Sequence, residues 1–121
     1  MNNNSLKIYI AAPYSAKTEE ERRKNTEAVI DVALALFQKG HFPYIPHLTH
    51  WVDKWAKETK IPMEWKDYMR WHAPWLETCD AFLYLSSSKG ADLELQMAKD
   101  LGKLIFYSID EAPTGLKQQV C

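Results

Sequence analysis

Residues 79–94 read C-D-A-F-L-Y-L-S-S-S-K-G-A-D-L-E. Ala81 to Leu85 has the composition of a buried strand, Ser86 to Gly90 is a polar turn, and Ala91 to Gly102 carries apolar residues at helical spacing. A short link between a parallel strand and a helix N-terminus presents unpaired backbone N–H groups and the positive end of the helix dipole, which suits an anion such as a phosphate. Glu94 is expected in the first turn of that helix, beside the anion site.

The alternation extends outward. Leu6 to Ala12 is an apolar run stopped by Pro13, and Phe42 to Ile45 lies between Gly40 and Pro46; both predict buried strands. Between them Thr18 to Lys39 predicts a helix that begins on Glu19, Glu20 and Glu21 and ends at Gly40, with an apolar face of Ala28, Val32 and Leu36 joined by Ile30 and Phe37. Pro62 to Tyr68 and Pro74 to Thr78 predict two short helical pieces split at Pro74. Leu104 to Tyr107 predicts a fourth strand, and the tail after Ala112 a last short helix. Such alternation predicts a single-domain α/β three-layer sandwich, a parallel four- or five-stranded sheet with flavodoxin-like winding. Ligands of such sheets bind at the carboxyl ends of the strands, here Pro13 to Ser15, Pro46 to His50, Ser86 to Gly90 and Ser108.

The 121 residues are 46% hydrophobic and 26% charged, enough for one domain with one core. A formal net charge of -1 gives no basic surface for a nucleic-acid polymer, so the expected ligand is a small molecule. Cys79 and Cys121 supply neither a disulfide framework nor a metal spacing, which fits a reducing cytoplasm. The opening M-N-N-N-S has no apolar run behind it, so residues 1–5 are read as a flexible tail, with no signal peptide, membrane segment or membrane partner expected.

K-I-Y-I-A-A-P-Y-S, P-H-L-T-H, W-L-E-T-C-D-A and S-K-G-A-D-L-E-L-Q-M-A-K-D-L-G-K together cover most of the chain. On these segments it resembles the nucleoside 2-deoxyribosyltransferase-like superfamily, close to its small phage and bacterial members and related to nucleoside 5′-monophosphate N-glycosidases. The resemblance implies N-glycosidic bond cleavage or base exchange on a (deoxy)ribonucleoside or its 5′-monophosphate. Glu94 matches the nucleophile that attacks the anomeric carbon, and Tyr9 the strand tyrosine beside it. Ser88 and Gly90 match the residues that hold a 5′-phosphate in the nucleotide hydrolases, where free-nucleoside transferases tend to carry an acid at the Ser88 position. The resemblance also implies a homodimer or higher homo-oligomer, and no cofactor.

The chemistry fits these residue types. A carboxylate on one face of the sugar stabilises or traps an oxocarbenium-like centre, after which water gives hydrolysis and a second base gives transfer. Lys89 and Ser15 can bond the same phosphate, and Arg22 lies near the first loop. The family's sugar- or base-assisting Asp falls on His72, which can donate a proton near neutral pH but is no copy of a carboxylate. Asp92 is the alternative acid, or else a solvated first-turn residue. Tyr9 has the alternative of plain core packing, and Ser86 to Ser88 that of a polar loop.

His47 and His50, with His72, invite a zinc site, but no cysteine or H-E-x-x-H pattern completes it, so no metal is expected and His47 is read as a base-pocket or loop-packing residue. Trp51, Trp55, Trp65, Tyr68, Trp71 and Trp75 recur at spacings that put several on one helical stripe. They read first as core or dimer interface and second as a wall for stacking a nucleobase. Two readings from other classes stand beside the enzyme: a non-catalytic nucleotide-binding or sensing module, and a protein-interaction module built on the Trp cluster.

Overall fold

The computed structural model describes residues 5–115. Four parallel strands, β1 (Lys7–Ala11), β2 (Phe42–Tyr44), β3 (Ala81–Tyr84) and β4 (Leu104–Phe106), form one sheet in the order β2-β1-β3-β4. Four α-helices link them: α1 (Glu19–Gln38), α2 (Thr49–Glu58), α3 (Trp65–Thr78) and α4 (Lys89–Asp100). The expected three-layer α/β arrangement is what the chain adopts, with four strands among the described residues. The expected last helix falls partly on 116–121, outside the described residues, as do most of the expected tail and Cys121.

Strand alternation sorts the core. Ile8 and Ile10 point to one face and pack with Val29, Ala33 and Leu36 of α1. Tyr9 and Ala11 point to the other and pack with Leu76 of α3, Phe82, and Ala91 and Ala98 of α4. Asp80 fastens the central strand pair, its carboxylate accepting from the Lys7 N–H at 2.8 Å while its own N–H donates to the Lys7 carbonyl at 2.8 Å.

Several local expectations are corrected. Helix α4 starts at Lys89, because Ser88 caps it by accepting the Ala91 N–H at 3.1 Å; Glu94 therefore sits in its second turn. Helix α3 runs unbroken through Pro74, which lies on the exposed side where the carbonyl freed by the missing N–H meets water. Helix α2 occupies a segment for which no helix was expected. The buried face of α1 is Thr26, Val29, Ala33 and Leu36, whereas Ala28 and Phe37 are exposed. The core reading of the tryptophans fails: all five are 41–64% exposed. No helix among the described residues is long and apolar enough to cross a membrane.

Turns at the far end of the sheet depend on glycine. Gly40 ends α1 at φ +101°, and a Cβ there would lie 2.7 Å from the Gly115 backbone; Gly102 ends α4 at φ +74° in open space. Gly40→Ala meets both a left-handed backbone and a backbone clash, whereas Gly102→Ala meets only the first. Urea unfolding is expected to show a loss of about 1 kcal/mol for Gly102→Ala and of about 2–3 kcal/mol for Gly40→Ala.

Candidate functional site

The winding reverses between β1 and β3, and at their carboxyl ends a cavity of about 450 Å³ opens, a volume suited to a nucleoside-sized ligand. Its floor is set by Tyr9. Register pairs Tyr9 with Tyr44 on one side and Phe82 on the other, and the rings stack at 5.3 Å and 5.7 Å; Trp75 of α3 stacks on Tyr44 at 5.8 Å. This ladder leaves the fully buried Tyr9 no freedom, and its hydroxyl donates to Oε2 of Glu94.

Glu94 lines the cavity and is 8% exposed. Burial lifts its carboxyl from 4.5 to about 7, against the opposing pull of the Tyr9 hydrogen bond. Burial and the neighbouring Glu94 push the Tyr9 hydroxyl far above the usual phenol range, so it remains a donor. Near neutral pH Glu94 is thus divided between its acid and its carboxylate.

The start of α4 forms one wall. Ser88 Oγ accepts from Ala91 N–H and keeps its own proton to donate, while the Lys89 and Gly90 N–H groups have no partner within the helix. The Lys89 ammonium lies 4.7 Å over the Trp65 ring. A Cβ on Gly90 would meet Trp65 and Met69 at 3.6 Å, ordinary contact, so the protein itself has room for alanine there.

Ser15 and Tyr14 bring in the loop after β1. Helix α1 holds this loop through Arg22 Nη1 to the Ala16 carbonyl at 2.8 Å and Asn25 Nδ2 to the Tyr14 carbonyl at 3.1 Å, so the Arg22 guanidinium is engaged with backbone. The Tyr14 hydroxyl pairs with His50 Nδ1 at 2.9 Å, and His50 Nε2 lies 3.1 Å from Glu19. His50 is therefore turned to the loop, apart from His47. Among the described residues no group of three or more His, Cys, Asp or Glu is arranged to hold a metal ion.

His47 and His72 form the opposite wall. His47 Nε2 donates to the Ala12 carbonyl at 3.0 Å and more weakly to that of Pro13 at 3.3 Å. His72 Nδ1 pairs with the Tyr44 hydroxyl at 3.1 Å. Burial lowers both imidazoles, His72 to about 4 with His47 adding to the effect. His72 is consequently neutral at neutral pH, which corrects its reading as an imidazolium proton donor. Asp92 is not in the cavity wall: it is exposed and accepts from the Tyr84 and Ser87 hydroxyls at 2.6 and 2.7 Å, bonds that hold its carboxyl low. Two residues along a helix is about 200° of rotation, so Asp92 and Glu94 face nearly opposite ways.

The fold thus gathers Glu94, Ser15, His47, His72, Ser88, Lys89 and Gly90 around one cavity, sets Tyr9 beneath it and leaves Asp92 outside. Tyr14, Pro46 and Thr49 join the walls from loops expected at the carboxyl edge, Met69 joins them unforeseen, and the aromatic cluster enters through Trp65 and Tyr68. Trp65, Tyr68, Met69 and His72 follow an i, i+3, i+4, i+7 pattern; this stripe was visible in the sequence but faces a cavity instead of a core.

The chain belongs to the family described as Domain of unknown function (DUF7768), whose model matches residues 6–108 and so spans every residue that lines the cavity. No curated protein matches it.

Because Glu94 keeps its proton in the folded chain up to about pH 7 but sheds it near 4.5 when unfolded, the folded state is favoured below 4.5 and loses that advantage as pH rises to about 7. Glu94→Gln removes this loss. Thermal unfolding is expected to show the variant equal to wild type at pH 4 and more stable above pH 7, by up to about 3 kcal/mol.

Proposed function

We propose that the protein cleaves or exchanges the N-glycosidic bond of a nucleoside, preferably a nucleoside 5′-monophosphate, with Glu94 as the nucleophile. One observation carries this reading: a carboxyl buried in the wall of a nucleoside-sized cavity, gripped on one oxygen by Tyr9 and flanked by the N-terminus of α4. The likeness of S-K-G-A-D-L-E to the nucleoside 2-deoxyribosyltransferase-like superfamily supports it.

With Oε2 held by Tyr9, Oε1 attacks C1′; the C1′–N bond breaks, its electron pair leaves on the base, and the sugar is held as a glycosyl ester. Water or a second base then attacks C1′, the ester bond's electron pair returns to Glu94, and the proton that the attacking group loses balances the one taken up by the departed base anion. A carboxylate is required for attack, and a pKa near 7 in a dry site gives a stronger nucleophile than an exposed glutamate while leaving about half of it ionised at neutral pH. Tyr9 sets that balance by stabilising the anion. Ser88, the first N–H groups of α4, Lys89 and Ser15 hold the 5′ end. His72 meets the base as a neutral hydrogen-bonding group.

A cytoplasmic setting and a homodimer or higher homo-oligomer belong to the same proposal, the latter because it would cover tryptophans that a lone protomer exposes. Those exposed tryptophans also favour one second reading, a protein-interaction module. A protein of that kind would not respond to nucleotides.

Incubation with nucleosides and their monophosphates, with and without acceptor base, is expected to release or exchange base. Glu94→Ala should abolish the reaction and retain binding; an equally fast variant rules out the nucleophile assignment. Activity should fall as pH drops through about 7, with the limb moved upward in Tyr9→Phe.

Gly90→Ala offers a separate check on the phosphate. Replacing a helical glycine raises intrinsic stability by up to about 1 kcal/mol. The new methyl, however, would stand beside the anion cradle. Calorimetric titration is expected to show nucleoside monophosphates weakened about tenfold or more while free nucleosides are little changed.

A further inference from the structure

A neutral imidazole carries one ring proton, and the surroundings of His72 say where. Its Nδ1 lies 3.1 Å from the Tyr44 hydroxyl, and His72 is the hydrogen-bond partner that the described residues give that hydroxyl. Burial keeps the phenol proton of Tyr44 in place, its pKa pushed up to about 12. One bond from Tyr44 O–H to Nδ1 uses both that proton and the Nδ1 lone pair, which leaves the imidazole's own proton on Nε2. Nε2 has no partner among the described residues and, unlike His47 Nδ1, is not sealed from solvent. The ring is 6% exposed and lies on the Trp65, Tyr68, Met69, His72 stripe that lines the cavity, so the cavity is where this N–H is open.

The strand order says which part of a ligand arrives there. Across the carboxyl edge the sequence is β2, β1, β3. Ser88 to Gly90 follow β3, Tyr9 holds Glu94 from the central β1, and His72 is paired with Tyr44 of β2. A nucleotide with its 5′ group on the start of α4 and its C1′ at Glu94 extends its base toward His72. Other ionisable protons of the wall are engaged elsewhere: the Tyr68 hydroxyl donates to Asp53 at 2.9 Å, that of Tyr14 pairs with His50, His47 Nε2 donates to backbone, and Lys89 stands over Trp65.

We infer that His72 is a catalytic residue that assists the departing base by a hydrogen bond from Nε2–H without giving up the proton, so that the site selects nucleotides whose base is a good leaving anion. The inference rests on the nucleoside reading of the cavity. When the C1′–N bond breaks, its electron pair stays on the base and the negative charge spreads over the ring nitrogens and carbonyl oxygens. The base anion is protonated after departure, in balance with the proton that the attacking group loses. A donor at Nε2 binds that anion more strongly than the neutral base, so it lowers the barrier without tightening substrate binding. It offsets only part of the charge, and the rate stays dependent on how stable the base makes its own anion. Electron-withdrawing substituents on the base supply that stability.

The test measures single-turnover base release by the full chain from matched pairs that differ away from the sugar: uridine against 5-fluorouridine and adenosine against 2-fluoroadenosine, each as the ribo- and 2′-deoxyribonucleoside 5′-monophosphate. In every pair that reacts, the fluorinated member should be faster by about fivefold or more. His72→Phe keeps an aromatic ring and removes the donor; kcat should fall by about tenfold to a hundredfold with KM little changed, and fall further for the parent base than for its fluorinated partner. A residue that served packing alone would alter KM or slow both members equally. Nitrogen NMR of the wild-type imidazole reads the proton directly and decides the matter if His72→Phe does not fold: a protonated Nε2 and a bare Nδ1 are expected. Base release that requires Glu94 but shows a smaller gap, survives His72→Phe undiminished or comes with the proton on Nδ1 overturns this inference and leaves the nucleoside reading standing. Absence of release from every nucleotide and nucleoside overturns both.

Discussion

The hydrogen bond from Tyr9 to Glu94 joins the centre of the sheet to the second turn of α4, and most of the architecture serves to hold its two ends. Tyr9 is immobile because β1 is central and because rings from β3 and β2 stack on both of its faces in register. Glu94 is immobile because Ser88 starts α4 close to the sheet and Ala91 and Ala98 seat the helix against Phe82 and its neighbours. Removing a carboxyl from water is unfavourable, and one strong donor compensates only part of it, so the group is left with a pKa of about 7.

The electrostatics of the cavity follow from the same economy of charge. Glu94 is its ionisable acid and Lys89 its cation, held at the rim over Trp65. Burial disfavours the charged form of both histidines: it lowers His47 against the opposing pull of its Nε2 bonds to the Ala12 and Pro13 carbonyls, and it lowers His72, paired with Tyr44, with His47 adding to the effect. A wall of neutral dipoles with one tunable carboxyl suits chemistry in which positive charge develops on a sugar, because the carboxylate's field is not cancelled by an adjacent imidazolium.

Much of the fold was legible. Hydrophobic runs bounded by Pro and Gly located all four strands, and the Ser-rich entry into α4 located the end of the sheet at which the cavity opens. The misplaced pieces share one cause, since local rules apply only until tertiary context outweighs them. Pro74 does not break α3 because the cost of one lost hydrogen bond is met by solvent on the exposed side, while Leu76 and His72 anchor the inner side. The face of α1 is rotated from the expected one because Val29, Ala33 and Leu36 match the sheet surface of Ile8 and Ile10. Tryptophans at helical spacing suggested a core, yet the spacing states only that residues share a side of a helix, not which side meets the sheet.

The amino-acid sequence alone determined the order of the strands, the helices α1 and α4 and the spacing that puts Ser88, Gly90 and Glu94 on one loop and helix, while the candidacy of Tyr9 as partner came from the resemblance. Periodicity and turn chemistry act over a few residues and can be read in one dimension. Only the tertiary structure decided that Asp92 faces away, that His72 is uncharged, and that His47 has one nitrogen spent on backbone and the other bare. Those properties depend on desolvation and on which distant groups come within hydrogen-bond reach, and neither exists until the chain has closed on itself.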